Sequence, residues 1–345
     1  MSEASLVKEA LKRLLSVGKK VDPVMEKYLL RHVSEGFKEP VLYMVRIGGK
    51  RVRPALTLLS AEAAGGQQEA ALPAAAAVEL THNYSLILDD IIDHSELRRG
   101  HPTVWKKYGL SIAILVAVHY RESISEAIND TPDPPRFLEI LTRTNKILAE
   151  GERLDILFEQ AGRLDEPYIV ENRYKVVTLD DYMDMVRKKT ASLIQTACIF
   201  GAMSVGAPDS IVRALGDYGE ALGIAFQIGD DIIDLFGKEE VTGKRVGQDI
   251  VEHKLGNVVV ALALEELSGK DEEELLSVLR KDVVSYEDAR RVIKLIKEKT
   301  SARERAERLR DGWVSKALKS LEPLPDTEAK KWLKGLAHFI AVREY

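Results

Sequence analysis

One pentapeptide, Asp-Asp-Ile-Ile-Asp, occurs twice and holds the densest grouping of chemistry-bearing side chains: Asp89, Asp90, Asp93 and, 141 residues later, Asp230, Asp231, Asp234. Each copy follows an apolar helical run, Tyr84–Leu88 or Ile224–Ile228, so both are predicted on helices. Asp89 and Asp93 are then one turn apart on one face, as are Asp230 and Asp234. Stacked carboxylates repel unless a cation compensates them. An oxygen-only set without His or Cys suits a hard ion such as Mg²⁺, which bridges carboxylates to substrate phosphates. All six aspartates are therefore expected at metal ions, with the two clusters as arms of one site that holds a diphosphate. Acidic helix ends facing solvent would be the ordinary reading of a single copy. The repetition, and the apolar Ile91-Ile92 and Ile232-Ile233 pairs inside the clusters, speak against it.

Basic residues stand in order around the clusters. Arg98, Arg99 and Gly100 follow the first, and Gly48-Gly49-Lys50-Arg51-Val52-Arg53-Pro54 lies upstream. Glycine lets a backbone approach an anion, and guanidinium groups grip phosphate oxygens in pairs, so both turns are expected to bind phosphate. His82 lies two helical turns before Asp89, on the same face. Lys188-Lys189-Thr190 opens an apolar run, Gln227 precedes Asp230 by three residues, and Lys244 and Lys254 flank the loop around Gly247. Each of these, taken alone, reads equally well as a surface residue.

The elements that must position these groups are helical. Apolar residues recur at three- and four-residue spacing, as in Leu11, Leu14, Leu15 and Leu275, Leu276, Leu279, and strand-like alternation is almost absent. Breakers at Gly65-Gly66, Asp130–Pro135, Gly162–Pro167, Gly206–Pro208, Gly237–Gly247 and Pro323–Asp326 separate about ten or more helices. No Pro-, Gly- or Ser-rich linker divides the 345 residues, so one all-α domain over 1–345 is expected.

With 50 basic and 55 acidic residues and a net charge of −5, the chain has no general nucleic-acid footprint. The N-terminal residues 1–15 carry charges throughout, unlike an export signal, and the apolar runs fall short of the ~18 residues of a membrane span. A cytoplasmic protein is expected. The single cysteine, Cys198, lies in an apolar stretch and is expected to be a buried thiol.

Together these residues resemble the trans-isoprenyl diphosphate synthases, the farnesyl and geranylgeranyl diphosphate synthase family. GGKRVRP at 48–54, His82, DDIIDHSELRRGHPTVW at 89–105, KKTASL at 188–193, FQIGDDIID at 226–234 and GKRVGQDIVEHK at 243–254 stand in the family's order. The likeness covers about 40–260. It implies a helical isoprenoid synthase bundle around a deep central cavity, usually a homodimer. It also implies a Mg²⁺-dependent prenyltransferase that joins isopentenyl diphosphate to an allylic diphosphate. Lys50, Arg53, His82 and Arg99 match positions that hold isopentenyl diphosphate. Asp89, Asp93, Asp230 and Asp234 match metal ligands, and Arg98, Lys189, Lys244 and Lys254 match clamps on the allylic diphosphate. Thr190 and Gln227 match polar residues that steady the carbocation. Tyr84, five residues before Asp89, resembles the chain-length residue of archaeal-type geranylgeranyl diphosphate synthases, with Ser85 beside it.

The likeness has gaps. Where the family commonly reads A-I-L-A-G-D, this chain reads Ala113-Ile114-Leu115-Val116-Ala117-Val118, without the Gly-Asp pair. Residues 129–136 look inserted, Leu88 stands where a histidine is common, and Gly256-Asn257 replaces a Thr-containing sequence. A farnesylgeranyl or longer product, a non-catalytic subunit of a heteromeric synthase, and a class I terpene cyclase are the alternative readings. The cyclases usually carry an Asn/Ser/Glu-type second motif, unlike the second DDIID here.

Overall fold

The computed structural model describes residues 3–237 and 245–342. In chain order the helices are α1 Glu3–Gly18, α2 Asp22–Leu29, α3 Glu35–Arg46, α4 Val52–Ala63, α5 Gln68–Ile92, α6 Val104–Tyr108, α7 Leu110–Asn129, α8 Pro134–Leu157, α9 Pro167–Asn172, α10 Leu179–Val186, α11 Ser192–Ser204 and α12 Asp209–Phe236. Then come α13 Gln248–Val251, α14 Val258–Glu266, α15 Lys270–Leu279, α16 Tyr286–Lys299, α17 Ala302–Ser320 and α18 Glu328–Val342. The sheet content among the described residues is one small hairpin, β1 Leu97–Arg98 with β2 His101–Pro102, in which Arg98 pairs with His101. No described helix is long and apolar enough to cross a membrane.

Where the sequence predicts one domain, the residues gather into two compact units. The first comprises 1–145, 193–219 and 320–336, the second 146–192, 220–319 and 337–345. Each unit draws on stretches far apart in the chain, so no linker marks a boundary.

In the first unit the alanine run Ala74–Ala77 of α5 is fully buried, as are Leu56, Leu58 and Leu59 of α4. Small side chains let α5 pack closely against its neighbours. Gly201 of α11 serves the same end, because a Cβ there would collide with the Thr57 carbonyl and the Ser60 side chain of α4. The rings of Phe137 and Phe200 meet at 4.6 Å, and the hydroxyls of Thr144 and Thr196 bond at 2.8 Å. Cys198 is fully buried, and burial pushes its thiol up to about 12, which leaves it inert. The insertion-like stretch after α7 is tied down: Asp130 accepts from the Tyr28 hydroxyl at 2.9 Å and from Arg31 at 3.2 Å. On α7, Ala113, Val116 and Ala117 are buried, while Ile114, Leu115 and Val118 face outward.

The second unit is built on a core of Phe158, Tyr182, Ile224, Ile228, Ile232, Leu235, Val258–Val260, Leu275 and Val292. Ile232, the inner isoleucine of the second cluster, is part of it. Asn257 caps α14: its Oδ1 accepts the Val259 N–H at 2.9 Å, which satisfies a backbone donor at the helix start. The cap sits where the sequence departs from the family pattern.

Within the first unit one buried ion pair anchors the turn after α3. Arg51 has a left-handed backbone, φ 51°, and its side chain is 2% exposed. It meets Glu79 of α5 at 3.0 Å and Asp22 at 2.7 Å, and donates to the Val45 carbonyl. Glu79→Ala leaves that guanidinium buried with Asp22 as its remaining carboxylate, and is expected to cost about 3 kcal/mol. The shift of the urea unfolding midpoint measures it, and a midpoint within error of the parent protein would refute the anchoring role.

Candidate active site

In the first unit the cationic groups sit around the Arg51 anchor. Gly49 makes room for Arg99, since a Cβ on Gly49 would lie 2.9 Å from Arg99 Nη1. Arg53 Nη1 lies 3.2 Å from His82 Nε2, and the buried Arg53 Nε has no protein partner. Burial pulls the Arg53 and Arg99 guanidiniums below their usual range, although Glu79 works against it. Burial, then Arg53 and Arg99, hold His82 well below 6.5, so the imidazole is neutral near pH 7. Arg99 itself has a left-handed backbone, φ 55°, followed by Gly100 at φ 76°. Positive charge thus accumulates at Arg53 and Arg99, with the neutral His82 imidazole between them as a hydrogen-bonding group, which suits a polyanion. Lys50 is exposed at the rim of the same turn.

The first aspartate cluster closes α5. Asp89 is half-buried and Asp93 exposed, and the Asp93 N–H donates to the Asp89 carbonyl at 2.8 Å. Asp90, one residue round the helix, differs from the expectation of a metal ligand. Its side chain is 1% exposed, and its carboxylate takes the Nε of Arg98 at 2.8 Å and the Nη2 at 2.7 Å. Arg98, expected as a clamp, is thereby fixed to its own cluster. The loop between them is held by the Ser95 carbonyl, which accepts from Thr103 and Trp105 at 2.8 Å. Tyr84 and Ser85 are half-buried on α5, and Ser85 donates to the His82 carbonyl.

In the second unit a single π-helical turn, Arg187–Ala191, presents Lys188, Lys189 and Thr190. Such turns carry an extra residue and recur at functional sites. Gly151 of α8 permits it, because a Cβ there would run into the Lys188 and Lys189 backbone. Lys189 Nζ meets Asp155 at 2.6 Å and Glu152 at 2.8 Å, and Lys254 Nζ stands 3.6 Å from the same Asp155. Against burial, the two lysines hold the Asp155 carboxyl far below its usual value. The two clamps expected at the allylic diphosphate are therefore brought together on one carboxylate. Lys244 lies outside the described residues.

The second cluster lies on α12. Asp230 and Asp234 are half-buried, and Asp234 accepts the backbone N–H groups of Gln248 and Asp249, both at 3.1 Å. Asp231, like Asp90, is held by protein groups: Gln227 Nε2 donates to it at 2.8 Å and the Val258 N–H at 2.9 Å. Gln227 Oε1 in turn accepts from the Thr190 hydroxyl at 2.9 Å. Burial and the nearby Asp249 push Asp234 up to about 7, and they raise Asp231 as well. Asp249 is itself raised by burial, against Lys254 and Asn257, whose Nδ2 donates to it at 2.8 Å.

Among the described residues no three metal-ligating side chains gather around one point. The donors fit an ion that takes only a few carboxylates from protein and fills the rest of its shell with water and phosphate oxygen. The crowding that drives Asp234 upward is of the kind a divalent cation offsets.

Asp155, Glu152, Asp249 and Asn257 contact the predicted site residues but were given no role in the sequence reading, and Arg51, read there as part of a phosphate-binding turn, is instead engaged by Glu79 and Asp22. Asn257 could have been found, since an Asn directly before Val258–Leu264 is a helix-start signal.

A family model for polyprenyl synthetase matches residues 34–296. A short chain isoprenyl diphosphate synthase of Methanothermobacter thermautotrophicus is 36% identical over 96% of this chain and 99% of its own. A geranylgeranyl diphosphate synthase of Methanosarcina mazei is 32% identical over 94% and 95%. The crystal structure of a geranylgeranyl pyrophosphate synthetase from Pyrococcus horikoshii superposes with a TM-score of 0.87 at 32% identity, covering 98% of this chain and 99% of that one. With the ordered motifs and the helical fold that carries them, these matches show that the chain belongs to the polyprenyl synthetase family, the trans-prenyl diphosphate synthases.

Proposed function

We propose that the chain condenses isopentenyl diphosphate with an allylic diphosphate in a Mg²⁺-dependent reaction and releases geranylgeranyl diphosphate. The observation that carries this reading is the cationic pair Arg53 and Arg99 with the neutral His82 beside them, in which the buried Arg53 Nε has no protein partner. A diphosphate supplies what that group lacks.

In this reading Arg53, His82 and Arg99, with Lys50 at the rim, hold isopentenyl diphosphate. Asp89 and Asp93, and Asp230 and Asp234, hold the metal ions. Bound Mg²⁺ supplies Lewis-acid charge to the departing diphosphate. Lys189 and Lys254 move from Asp155 to the allylic diphosphate, joined by Lys244 and by the Nη1 of Arg98 that Asp90 leaves over. They stabilise negative charge as the allylic C–O bond ionises. The double bond of isopentenyl diphosphate attacks the carbocation, and loss of a proton to the released diphosphate completes an allylic product one isoprene unit longer. Tyr84 limits the chain, and Ser85 leaves space beside it. The relatives named geranylgeranyl diphosphate synthase support this product length.

A non-catalytic subunit is the second reading, and one relative is component 2 of a heptaprenyl diphosphate synthase in Geobacillus stearothermophilus. The complete set of carboxylates and cations favours catalysis. Purified protein with Mg²⁺, isopentenyl diphosphate and farnesyl diphosphate is expected to yield a C20 product on chromatography, and no elongation would establish the subunit reading.

Asp89→Ala or Asp230→Ala is expected to slow turnover on the order of 10³-fold, and near-parental steady-state rates would exclude the metal assignment. Tyr84→Ala is expected to shift the product to longer chains on the same column. His82 supplies a pH test. Its folded pKa lies below the unfolded 6.5, so the unfolded chain binds more protons in acid, and stability falls as pH drops below about 6.5. His82→Gln is expected to flatten the loss of unfolding free energy between pH 7 and pH 5, and an unchanged slope would contradict a neutral buried imidazole.

A further inference from the structure

We infer that Asp231 is a positioning residue rather than a metal ligand: it fixes the amide of Gln227, and through it the direction of the Thr190 hydroxyl. The inference rests on the reading of Thr190 as the oxygen that faces the allylic carbocation.

A threonine hydroxyl has one hydrogen and two lone pairs, and its effect on a nearby cation depends on which end it presents. Thr190 is 9% exposed, so protein rather than bulk water decides. Its Oγ1 lies 2.9 Å from Gln227 Oε1, which can only accept, so the hydroxyl hydrogen is committed there. The lone pairs remain for the substrate.

That outcome requires the Gln227 amide to stand with Oε1 towards Thr190 and Nε2 away from it. Oxygen and nitrogen have nearly the same shape, and the neighbours alone decide between the two orientations. Here the decision falls to Asp231, one helical turn along α12. Its Oδ1 accepts Gln227 Nε2 at 2.8 Å, and its Oδ2 accepts the Val258 N–H at 2.9 Å. Oδ2 is occupied by a backbone donor at the start of the nine-residue helix α14, and this bond and the one from Gln227 favour the carboxylate against burial and Asp249, which raise it. A reversed amide would set two oxygens against each other at Asp231. At the other end it would place an N–H on the Thr190 oxygen and turn the hydroxyl hydrogen, its positive end, outward. The relay Val258 N–H, Asp231, Gln227, Thr190 therefore sets a dipole of one sign. Asp231 is 3% exposed and has both oxygens engaged, whereas Asp230 and Asp234 are half-buried.

The test compares four variants of the full chain by kcat, the KM for isopentenyl diphosphate and the Mg²⁺ concentration at half-maximal rate. Thr190→Val removes the hydroxyl and is expected to lower kcat about 100-fold. Asp231→Asn, which can donate to a reversed Gln227, is expected to lower kcat by a similar factor with KM and the Mg²⁺ midpoint unchanged. The double variant T190V/D231N is expected to be no slower than T190V, because both substitutions interrupt one relay. The exchange variant Q227E/D231N restores the polarity, since a glutamate accepts from both Thr190 and Asn Nδ2, and is expected to recover kcat to within about tenfold of the parent. A raised Mg²⁺ midpoint in D231N would make Asp231 a metal ligand, and losses that multiply in the double variant would show that it acts independently of Thr190; either result overturns the inference. A folded exchange variant that stays about 100-fold below the parent would overturn it too. Should D231N fail to fold, the exchange variant decides alone. Full turnover in T190V would instead remove the reading of Thr190 itself, and with it the role of the relay.

Discussion

Charge that is buried must be answered by charge or by hydrogen bonds, and both units are built around that requirement. In the first unit Arg51 brings its guanidinium into the core, and Glu79 and Asp22 receive it. The turn carrying Lys50 and Arg53 hangs from this contact. In the second unit Asp155 plays the corresponding part with opposite sign, gathering Lys189 and Lys254. These pairs are fully answered. Arg53, with an unmatched Nε, is not, and Asp234, although it accepts two backbone N–H groups, is still pushed up to about 7 by burial and Asp249.

The same division runs through each aspartate cluster. Neighbouring residues on a helix point about 100° apart, so a run of acidic residues cannot act as a block. Asp90 turns to Arg98 and Asp231 to Gln227 and the start of α14. The outer aspartates stay nearer the surface. One pentapeptide thus divides in the same way in both copies.

Much of this was legible in the sequence. The 3.6-residue periodicity gave the helices, and the two DDIID copies with their ordered basic residues marked the family and the candidate site. The inward turn of Asp90 and Asp231 was not read, because an acidic triplet suggests one ligand set and the partners lie 8 and 27 residues on. Asp155 and Glu152 sit in Glu150–Asp155, a charged stretch that looks like any solvated helix face. Only the three-dimensional approach of Lys189 gives them a role. The two-unit packing was hidden for a related reason, since its boundaries fall within continuous helices and leave no mark on composition.

The π-turn at Arg187–Ala191 adds a constraint of another kind. Because it holds one residue more than an α-helical turn, it fixes a register as well as a shape. Deleting a single residue there would let the turn relax into ordinary helix with the flanking helices in register, and the side chains that the extra residue displays would be re-aimed. Lys189 and Thr190 would then leave Asp155 and Gln227 together. Substitutions can alter this segment one side chain at a time, but its length is set by the backbone, and Gly151 opposite keeps the space in which that backbone fits.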